Sequence, residues 1–534
     1  MSKKISLFPI LKKEFHSYGF SSFRKDLLAG ITCTAVALPL ALAFGVSSGA
    51  DAASGLICAI IAGFVIGGLS GASYQISGPT GAMAAILVAL SAEFGLQGMF
   101  AAGFLSGLFL LLFAVLKAGK LVNFIPKPVI TGFTSGIAII IALGQIDNAF
   151  GTHSEGLSAL SKLMSYGELG FNPIWTAVMY TAIAAGIMIL WPKKLNRSFP
   201  GSLLAIIVCL AIQLFAGLDV PVVGAIPRTL LPEERLMFST LNPAYLSKFI
   251  APALSIALLG MIESLLCGAS GGKMKGEKLD ATQELLAQGI GNSIIPFFGG
   301  IPATAAIART SVAIKSGGCT RMTSIIHSVG LLLSMFLLGP WMAEIPLSAL
   351  AGVLIVTAWR MNEWPSIRQI FSKRIKTSMA QYLVTMIATV LFDLTSAILI
   401  GVGLSAVLFV TRQRLDMKIE SEHVDSKDGK KTTFIYLNGA LFFGTQEMLS
   451  EEIGKLRKKK VERIVLSFRG VSSIDHSEAE EIEEILSECE KDGIEIWFAA
   501  LSDDAARIFR RLQIDFKNVR MFNSAVDAAE AMNR

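Results

Sequence analysis

The sequence reads GPTGAMAAI at residues 78–86 and IPATAAIAR at residues 301–309. In each stretch a proline precedes small apolar residues. The apolar runs that follow, residues 81–90 and residues 303–314 with Arg309 inside the second, are too short to cross about 30 Å of hydrocarbon. We therefore predict two half-helices, each preceded by an extended strand. Paired interrupted segments in corresponding halves of a chain are typical of inverted-repeat membrane carriers with a site near the midplane.

Long apolar runs surround these two stretches. The chain has 534 residues, of which 53% are hydrophobic and only 16% are charged, whereas soluble proteins average about 25% charged. The apolar runs, and the Gly, Pro and charged residues that separate them, predict an all-α polytopic membrane domain of fourteen segments in a 7+7 arrangement. The predicted segments start near Leu27, Asp51, Ser77, Gln97, Lys127, Ile174, Gly201, Phe249, Gln283, Thr304, Thr320, Pro346, Thr377 and Thr395.

Basic residues fill alternate loops between these segments, which by the positive-inside rule marks those loops as cytoplasmic. They include the N-terminal Lys3, Lys4, Lys12, Lys13, Arg24 and Lys25, then Lys117, Lys120, Lys127, Lys193, Lys194, Arg197, Lys273, Lys275, Lys278, Lys315, Arg321 and the stretch 360–376. The opposite loops hold Asp147, Glu155, Glu168 and Glu344, with a mixed stretch over residues 219–248. An even number of crossings then predicts a multi-pass protein of the cytoplasmic membrane, embedded in the lipid bilayer, with both termini in the cytoplasm.

The character of the chain changes near residue 412. The first 412 residues hold 28 Lys and Arg against 17 Asp and Glu, and the last 122 hold 19 against 24. In the tail, strand-like runs such as RIVLSF alternate with helical patterns, which indicates a small soluble α/β domain. The predicted organisation is a cytoplasmic N-terminal segment (1–25), a transmembrane transporter domain (26–412), a polar linker (413–430) and the α/β domain (431–534).

The half-helices favour a negatively charged ligand. The N-terminus of a helix presents unpaired N–H groups and a partial positive charge, so two such ends in one cavity suit an anion. Arg309 lies inside the second half-helix, where an arginine is costly unless it is paired or lines a wet cavity. The alternative is that Arg309 merely neutralises a buried carboxylate such as Glu263.

Glu263 lies in LLGMIESLLCG, deep within the eighth apolar run. Burial favours the neutral form of an unpaired carboxylate, which makes Glu263 a candidate proton or cation coupler. A permanent salt bridge or a hydrogen-bonded link between helices is the alternative.

The sequence offers no pattern for catalysis or for a bound metal. Six cysteines occur singly, without CxxC pairs, and five lie in or beside apolar runs, as small buried hydrophobes do. The five histidines do not cluster with carboxylates at ligand spacing. We therefore expect no enzyme, no cofactor, no metal site and no nucleic-acid partner.

Several motifs in order carry a family resemblance. They are ALPLALAFGVSSGA from Ala37, YQISGPTGAM from Tyr74, MIESLLCG from Met261, AQGIGN from Ala287 and FFGGIPATAAIART from Phe297. Together they resemble the SulP (sulfate permease) family of anion transporters, the family of prestin and pendrin, from about residue 26 to 412. The tail resembles the STAS domain that closes these chains.

The resemblance implies an inverted-repeat fold like that of nucleobase transporters, a core part that moves against a gate part, and a homodimer. It also implies an anion site between the third and tenth segments. The residues that match the family's substrate-binding positions are Phe44, Ser77, Gly78, Pro79, Thr80, Ala308 and Arg309, with Glu263 at the coupling position. Phe44 is expected on this ground alone, since its apolar side chain suits core packing equally well.

Departures from the family pattern bear on coupling. Sodium-coupled members carry a threonine and a second hydroxyl residue where this chain has Cys267 and Ile307, and neither replacement supplies the oxygen ligands that a hard cation requires. We therefore expect a secondary active transporter of a sulfate-type inorganic anion that works by alternating access, with proton symport through Glu263. C4-dicarboxylates and bicarbonate are the alternative substrates. A passive anion channel or exchanger, a nucleobase carrier and a signalling receptor are rival functions.

The STAS-like tail departs from its family as well. Asp475, His476, Ser477 and Glu478 stand where such domains usually have Asp, Ser, Ser or Thr, and Gly. Ser477 matches a position phosphorylated in related regulatory proteins, but the missing glycine favours an ordinary serine at a helix start. A cytoplasmic protein is the candidate partner of this domain.

Overall fold

The computed structural model describes residues 7–156, 159–192, 195, 199–237, 246–392, 394–514 and 516–533. The chain divides into two compact units, Met1–Val402 and Gly403–Arg534. Among the predicted cytoplasmic charges, Lys3, Lys4, Lys193, Lys194 and Arg197 lie outside the described residues, as does part of the mixed stretch 219–248.

The membrane-domain helices follow the predicted order of fourteen segments. Thirteen helices supply them, because α4 contains two segments. They are α2 (Phe20–Ser47), α3 (Ala52–Leu69), α4 (Gly81–Val115), α5 (Lys127–Gly144), α8 (Trp175–Leu190), α9 (Gly201–Ala216), α10 (Ile250–Lys275), α11 (Ala281–Ile294), α12 (Ile307–Lys315), α13 (Met322–Ala343), α14 (Leu347–Met361), α16 (Lys376–Leu391) and α17 (Leu394–Asp416). Seven helical stretches among the described residues are long and apolar enough to cross a membrane, and three further apolar helices are shorter.

Four more α-helices among the described residues lie between or before these segments, and the sequence did not predict them. They are α1 (Leu7–Glu14), α6 (Ile146–Phe150), α7 (Ala159–Leu169) and α15 (Trp364–Ser372). Three of the four have eight to eleven residues and one has five. Short amphipathic helices with charged residues give no apolar run, so a search for spanning segments passes over them.

A break at Gly95 divides α4 into the third and fourth segments. Its backbone adopts φ 69° and ψ −176°, a conformation that is essentially restricted to glycine. The predicted separate segments at Ser77 and Gln97 are therefore joined through a single non-helical residue.

The predicted extended strands form a small antiparallel sheet. Strand β1 (Ser77–Gly78) pairs with β2 (Thr304–Ala305), with Ser77 opposite Ala305 and Gly78 opposite Thr304. The second half-helix was expected from residue 303, but α12 begins only at Ile307, because Thr304 and Ala305 are used in this pairing. The pairing brings the starts of α4 and α12 together.

Small residues allow α2 and α3 to pack closely beside this sheet. A Cβ atom on Gly45 would lie 2.9 Å from the backbone nitrogen of Gly55, which no side chain tolerates. Asp51 caps α3 as expected, because its carboxylate accepts a hydrogen bond from Ser54 N at 2.7 Å. Close contact through small residues is the usual way in which membrane helices associate.

The second unit is an α/β domain with a five-stranded sheet in the order β3-β4-β5-β6-β7, of which only the β3–β4 pair is antiparallel. Its strands are β3 (Lys418–Asp425), β4 (Lys431–Leu441), β5 (Arg463–Ile474), β6 (Glu495–Ala499) and β7 (Arg520–Phe522), and its helices are α18 (Gln446–Lys458), α19 (His476–Lys491), α20 (Asp503–Arg511) and α21 (Ala525–Met532). Helices on both faces bury apolar side chains of the sheet in two clusters.

The expectation of a polar linker over residues 413–430 was wrong for its central part. Lys418–Asp425 forms β3, and the end of α17 reaches to Asp416. The strand has the sequence KIESEHVD and pairs with β4 from Lys418 opposite Asn438 to Asp425 opposite Lys431. An exposed, charged edge strand of this kind has no apolar face to mark it in the sequence. The edge strand β7 was not predicted because it is too short to show a strand-like pattern in the sequence.

Candidate functional site

Thr80 links the first half-helix to the carboxylate predicted as the coupler. The residue is the N-cap of α4, and its Oγ1 accepts a hydrogen bond from Met83 N at 3.3 Å. The same hydroxyl donates to Oε2 of Glu263 at 3.0 Å. Glu263 is half-buried on α10. Two hydrogen bonds through Thr80 thus connect the N-terminal turn of α4 to the carboxylate on α10.

Thr304 is a second hydroxyl donor to Glu263, and the sequence analysis did not single it out. Its Oγ1 lies 2.7 Å from the same Oε2 atom. Next to Glu263, Ser264 accepts a hydrogen bond from Ala305 N at 3.2 Å. Because Gly78 pairs with Thr304, the sheet register places threonines from both half-helix entrances against one carboxylate.

Arg309 is the largest fully buried side chain in the described part of the chain, with 2% exposure. Its Nη2 donates to the carbonyl oxygen of Pro79 at 2.8 Å. Its Nη1 is buried without a hydrogen-bond partner, and no ion pair joins Arg309 to a carboxylate among the described residues. Arg309 and Glu263 therefore form no direct ion pair in this structure, and Glu263 is hydrogen-bonded to threonine hydroxyls instead.

Gly78 allows the guanidinium group to approach the backbone of β1. A Cβ atom at this position would lie 2.6 Å from Nη1 and 3.2 Å from Nη2 of Arg309. Only glycine leaves room for that contact. The carbonyl oxygen of the next residue, Pro79, accepts the hydrogen bond from the guanidinium. Gly78 and Pro79 from the first half of the repeat therefore hold Arg309 from the second half in place.

The N-terminus of α12 has no side-chain cap. Its N-cap residue is Ala306, which offers no acceptor to the first N–H groups of the helix. Ile307 and Ala308 on that first turn are exposed. This end of α12 therefore presents free N–H groups and the positive end of the helix dipole to its surroundings.

Ser77 lies in a hydrogen-bonded layer behind this region and is fully buried. Its Oγ accepts from Gln288 Nε2 at 3.1 Å, and Gln288 also donates to Glu284 Oε1 at 2.9 Å. Glu284 in turn accepts from Ser70 Oγ at 2.6 Å. These side chains brace the start of β1 rather than leave Ser77 free for a ligand.

Phe44 lies beside the first turn of α4. Its side chain is 6% exposed. A Cβ atom on Gly81 would lie 3.1 Å from Cε1 of the ring, and both residues line the same cavity. The position implied by the family resemblance is thus adjacent to the half-helix, although its burial makes Phe44 as much a wall of the core as of a site.

The two positions that argued against sodium lie near the site without supplying oxygen. Cys267 donates through Sγ to Oγ1 of Thr310 at 3.3 Å, and that oxygen also accepts from Ile76 N at 3.1 Å. Ile307 is 48% exposed at the start of α12. Thr304, by contrast, brings a hydroxyl to Glu263 that the residue-by-residue reading of the family pattern missed.

The profile of the sulfate permease family matches residues 23–388, and that of the STAS domain matches residues 423–528. The chain belongs to the sulfate permease family. YvdB of Bacillus subtilis (strain 168), whose name assigns it provisionally to sulfate transport, is 34% identical over 87% of this chain and 88% of its own length. The bicarbonate transporter BicA of Picosynechococcus sp. is 30% identical over 81% of each chain.

A solved structure of the same architecture supports the fold of this sulfate permease family member. Murine solute carrier 26 family member A9, an anion transporter solved in the inward-facing state, matches 99% of this chain and 96% of its own with a TM-score of 0.84 at 16% identity. The predicted family, the helical 7+7 membrane domain and the STAS domain are therefore confirmed. Members of the family are anion transporters and not enzymes.

In the STAS domain, Ser477 lies in the first turn of a helix and is not its N-cap. Asp475 is the N-cap of α19 and accepts a hydrogen bond from Glu478 N at 2.9 Å, so Ser477 is the second residue of the helix. Glu478 is fully buried, and its Oε2 accepts from Thr445 Oγ1 at 3.2 Å. Burial raises the pKa of the Glu478 carboxyl to about 7.

Proposed function

We propose that this protein is a secondary active anion transporter, that it couples uptake of a small anion to protons, and that the anion binds at the facing starts of α4 and α12. The observation that carries the proposal is the Arg309 guanidinium, which is held at Pro79 by one nitrogen while Nη1 is buried without a partner. A buried cationic donor with unused capacity beside an uncapped helix N-terminus suits an anion. The contact residues would be Gly78, Thr80, Ala308 and Arg309, with Phe44, Ser77 and Pro79 as the supporting wall.

Glu263 is the proposed proton site. Its Oε2 accepts from two threonine hydroxyls, an arrangement suited to the charged carboxylate. A proton on that oxygen would require an acceptor, and one hydroxyl would then have to turn. Because Thr80 also caps α4, protonation of Glu263 reaches the half-helix that binds the anion. Such a link between the two ligands is what symport requires.

The transport cycle proposed is alternating access, in which a core part that carries both half-helices moves against a gate part. The same proposal includes a homodimer in the cytoplasmic membrane, with both termini and the STAS domain in the cytoplasm. Alternate loops rich in Lys and Arg support this orientation. We assign regulation or dimer stabilisation to the STAS domain, and a cytoplasmic protein partner would act there.

Sulfate or a similar inorganic anion is the first candidate substrate, in line with the name of the YvdB relative. Bicarbonate is the second, since BicA is a named bicarbonate transporter. C4-dicarboxylates are a third candidate, because the same N–H groups and guanidinium can donate hydrogen bonds to a carboxylate. A passive channel or exchanger would share all these contacts and would differ in that its anion flux is not coupled to the proton gradient.

The deciding experiment is uptake of radiolabelled sulfate, bicarbonate, succinate and chloride into proteoliposomes at two pH values, with and without sodium. Proton-driven accumulation of one anion above its external concentration, unaffected by sodium, is the expected result. Downhill flux alone would indicate a channel or exchanger. Competition by a nucleobase in place of anions would indicate a nucleobase carrier, and absence of flux without a partner protein would favour a receptor.

A further inference from the structure

A narrow cavity lies between α2, α4, α5 and α7, beside the half-helix site. On α4 it is lined by Gly81, Ala84, Ala85 and Val88, which share one face of the helix. At about 1.5 Å per residue, that wall is about 10 Å long. The cavity therefore extends from the first turn of α4, next to Thr80, toward the Gly95 break.

The inner end of the cavity is tight. A Cβ atom on Gly81 would clash with the Cδ1 atom of Ile141 and would lie 3.1 Å from the ring of Phe44. These two side chains close around the start of α4. A ligand that reached this point along the cavity would stand at the N-terminal turn of the first half-helix.

The other end is open and polar. A Cβ atom on Gly144, near the end of α5, would meet no atom within 4 Å. Beside it, Gln145 Nε2 donates to Ser47 Oγ at 2.9 Å, so amide and hydroxyl groups line this part. Both α2 and α5 finish here. Since each starts on the side of the N-terminus, this end faces the opposite side of the membrane.

Lys162 on α7 is the charged residue among the described residues that line the cavity. No described carboxylate pairs with its ammonium group. Helix α7 is held in place by other contacts: Tyr166 Oη donates to Asp147 Oδ1 at 2.8 Å, and Glu155 N donates to Ser165 Oγ at 3.0 Å. The position of Lys162 is thus fixed while its charge stays available.

We propose that this cavity is the path by which the anion reaches the site from the membrane face opposite the chain ends, and that Lys162 attracts the anion into it. The inference rests on the proposed anion transport and adds a path and a residue to it. A single positive charge at the mouth of an apolar groove has its field focused along the groove, which raises the local concentration of anions and the rate of their association. Asp147, the carboxylate on α6 that contacts α7 through Tyr166, already accepts hydrogen bonds from Tyr166, Ser154 and Thr152.

The first test labels the cavity wall and needs no transport. In full-length protein in liposomes, a Val88→Cys variant is reacted from the α7 side with membrane-impermeant thiol reagents that carry either a sulfonate or a quaternary ammonium group. At low ionic strength, we expect Lys162→Gln to slow the reaction of the anionic reagent about threefold or more and to speed the reaction of the cationic reagent. In 0.5 M salt, where the Debye length is about 4 Å, screening should remove both effects. Glu168→Gln on the same helix is the matched control. A Val88→Cys thiol that does not react, or equal rates in both backgrounds, would overturn the proposal.

The second test blocks the path. Gly144→Val places a side chain where a Cβ atom would meet no other atom within 4 Å, and Gly186→Val on α8 is a control whose Cβ also meets no atom within that distance. We expect uptake from the α7 side to fall at least fivefold in the first variant and to stay unchanged in the second. Equal uptake in both would contradict the proposed path. If wild-type protein transports no anion of the panel, the proposed function fails, while the labelling result still decides the path.

Discussion

Oγ1 of Thr80 lies 3.0 Å from Oε2 of Glu263, and the same hydroxyl caps the helix at which we place the anion. One side chain therefore contacts both the proposed proton site and the proposed anion site. The coupling hypothesis can be tested at either end of this contact.

Replacing Glu263 by Gln should abolish the dependence of uptake on a proton gradient and leave anion binding largely intact. The amide keeps the size of the side chain but cannot exchange a proton. Uptake measured at pH 5.5 and 7.5 should differ several-fold in wild type and be equal in the variant. Glu344→Gln, at an exposed carboxylate that ends α13, is the control. Transport that stays pH-dependent in the Glu263 variant would exclude the coupling role.

Replacing Arg309 by Ala should weaken anion affinity by roughly ten- to a hundredfold, the usual loss for one charged hydrogen-bond donor. Lys at this position keeps the charge but not the two-pronged donor, so we expect an intermediate affinity. Equilibrium binding of the transported anion measures both variants. An unchanged dissociation constant in the Ala variant would make Arg309 purely structural.

Replacing Gly78 by Ala should impair binding without any change of charge. The new methyl group would lie 2.6 Å from Nη1 of Arg309 and would displace the guanidinium from Pro79. Gly68→Ala on α3, where a Cβ meets no atom within 4 Å, is the matched control. Detergent-solubilised variants with the same thermal stability but different affinity would bear out the prediction, and equal affinities would contradict it.

Replacing Glu478 by Gln should stabilise the STAS domain at high pH only. Its pKa of about 7 in the folded domain exceeds the ordinary value of 4.5, so between these values the folded state binds more protons than the unfolded state. Stability therefore falls as the pH rises through this window. Hydrogen exchange of the α19 amides in the full-length protein should be slower in the variant than in wild type at pH 8 and equal at pH 4. Glu484→Gln, exposed on the same helix, should show no difference at either pH.

The sequence predicts the membrane architecture because the features that indicate it are local in the chain. Proline followed by small residues at Pro79 and Pro302 indicates the two half-helices, and apolar length indicates the spans. The contact of Thr304 with Glu263 is not local: it depends on the register that sets Gly78 opposite Thr304, residues 226 positions apart. Without that register, Thr304 was one hydroxyl among many.

Elements without an apolar run could not be predicted in this way. Strand β3 is a charged edge strand, and α7 is a short helix between two spans, yet the second carries Lys162. The buried layer of Gln288 and Glu284 behind Ser77 was missed for a related reason, because polar residues inside a membrane domain are interpretable only once their partners are known.

The two half-helices end in different chemistry although they occupy equivalent places in the repeat. The α4 start is closed by a threonine hydroxyl, whereas the α12 start has an alanine and no closure. Two identical halves would have the same cap at both starts, so the two half-helices differ at this equivalent position. In the mechanism proposed above, Thr80 would transmit the charge state of the α10 carboxylate to the α4 start, and the uncapped α12 start would offer the anion more free backbone N–H groups than the capped α4 start.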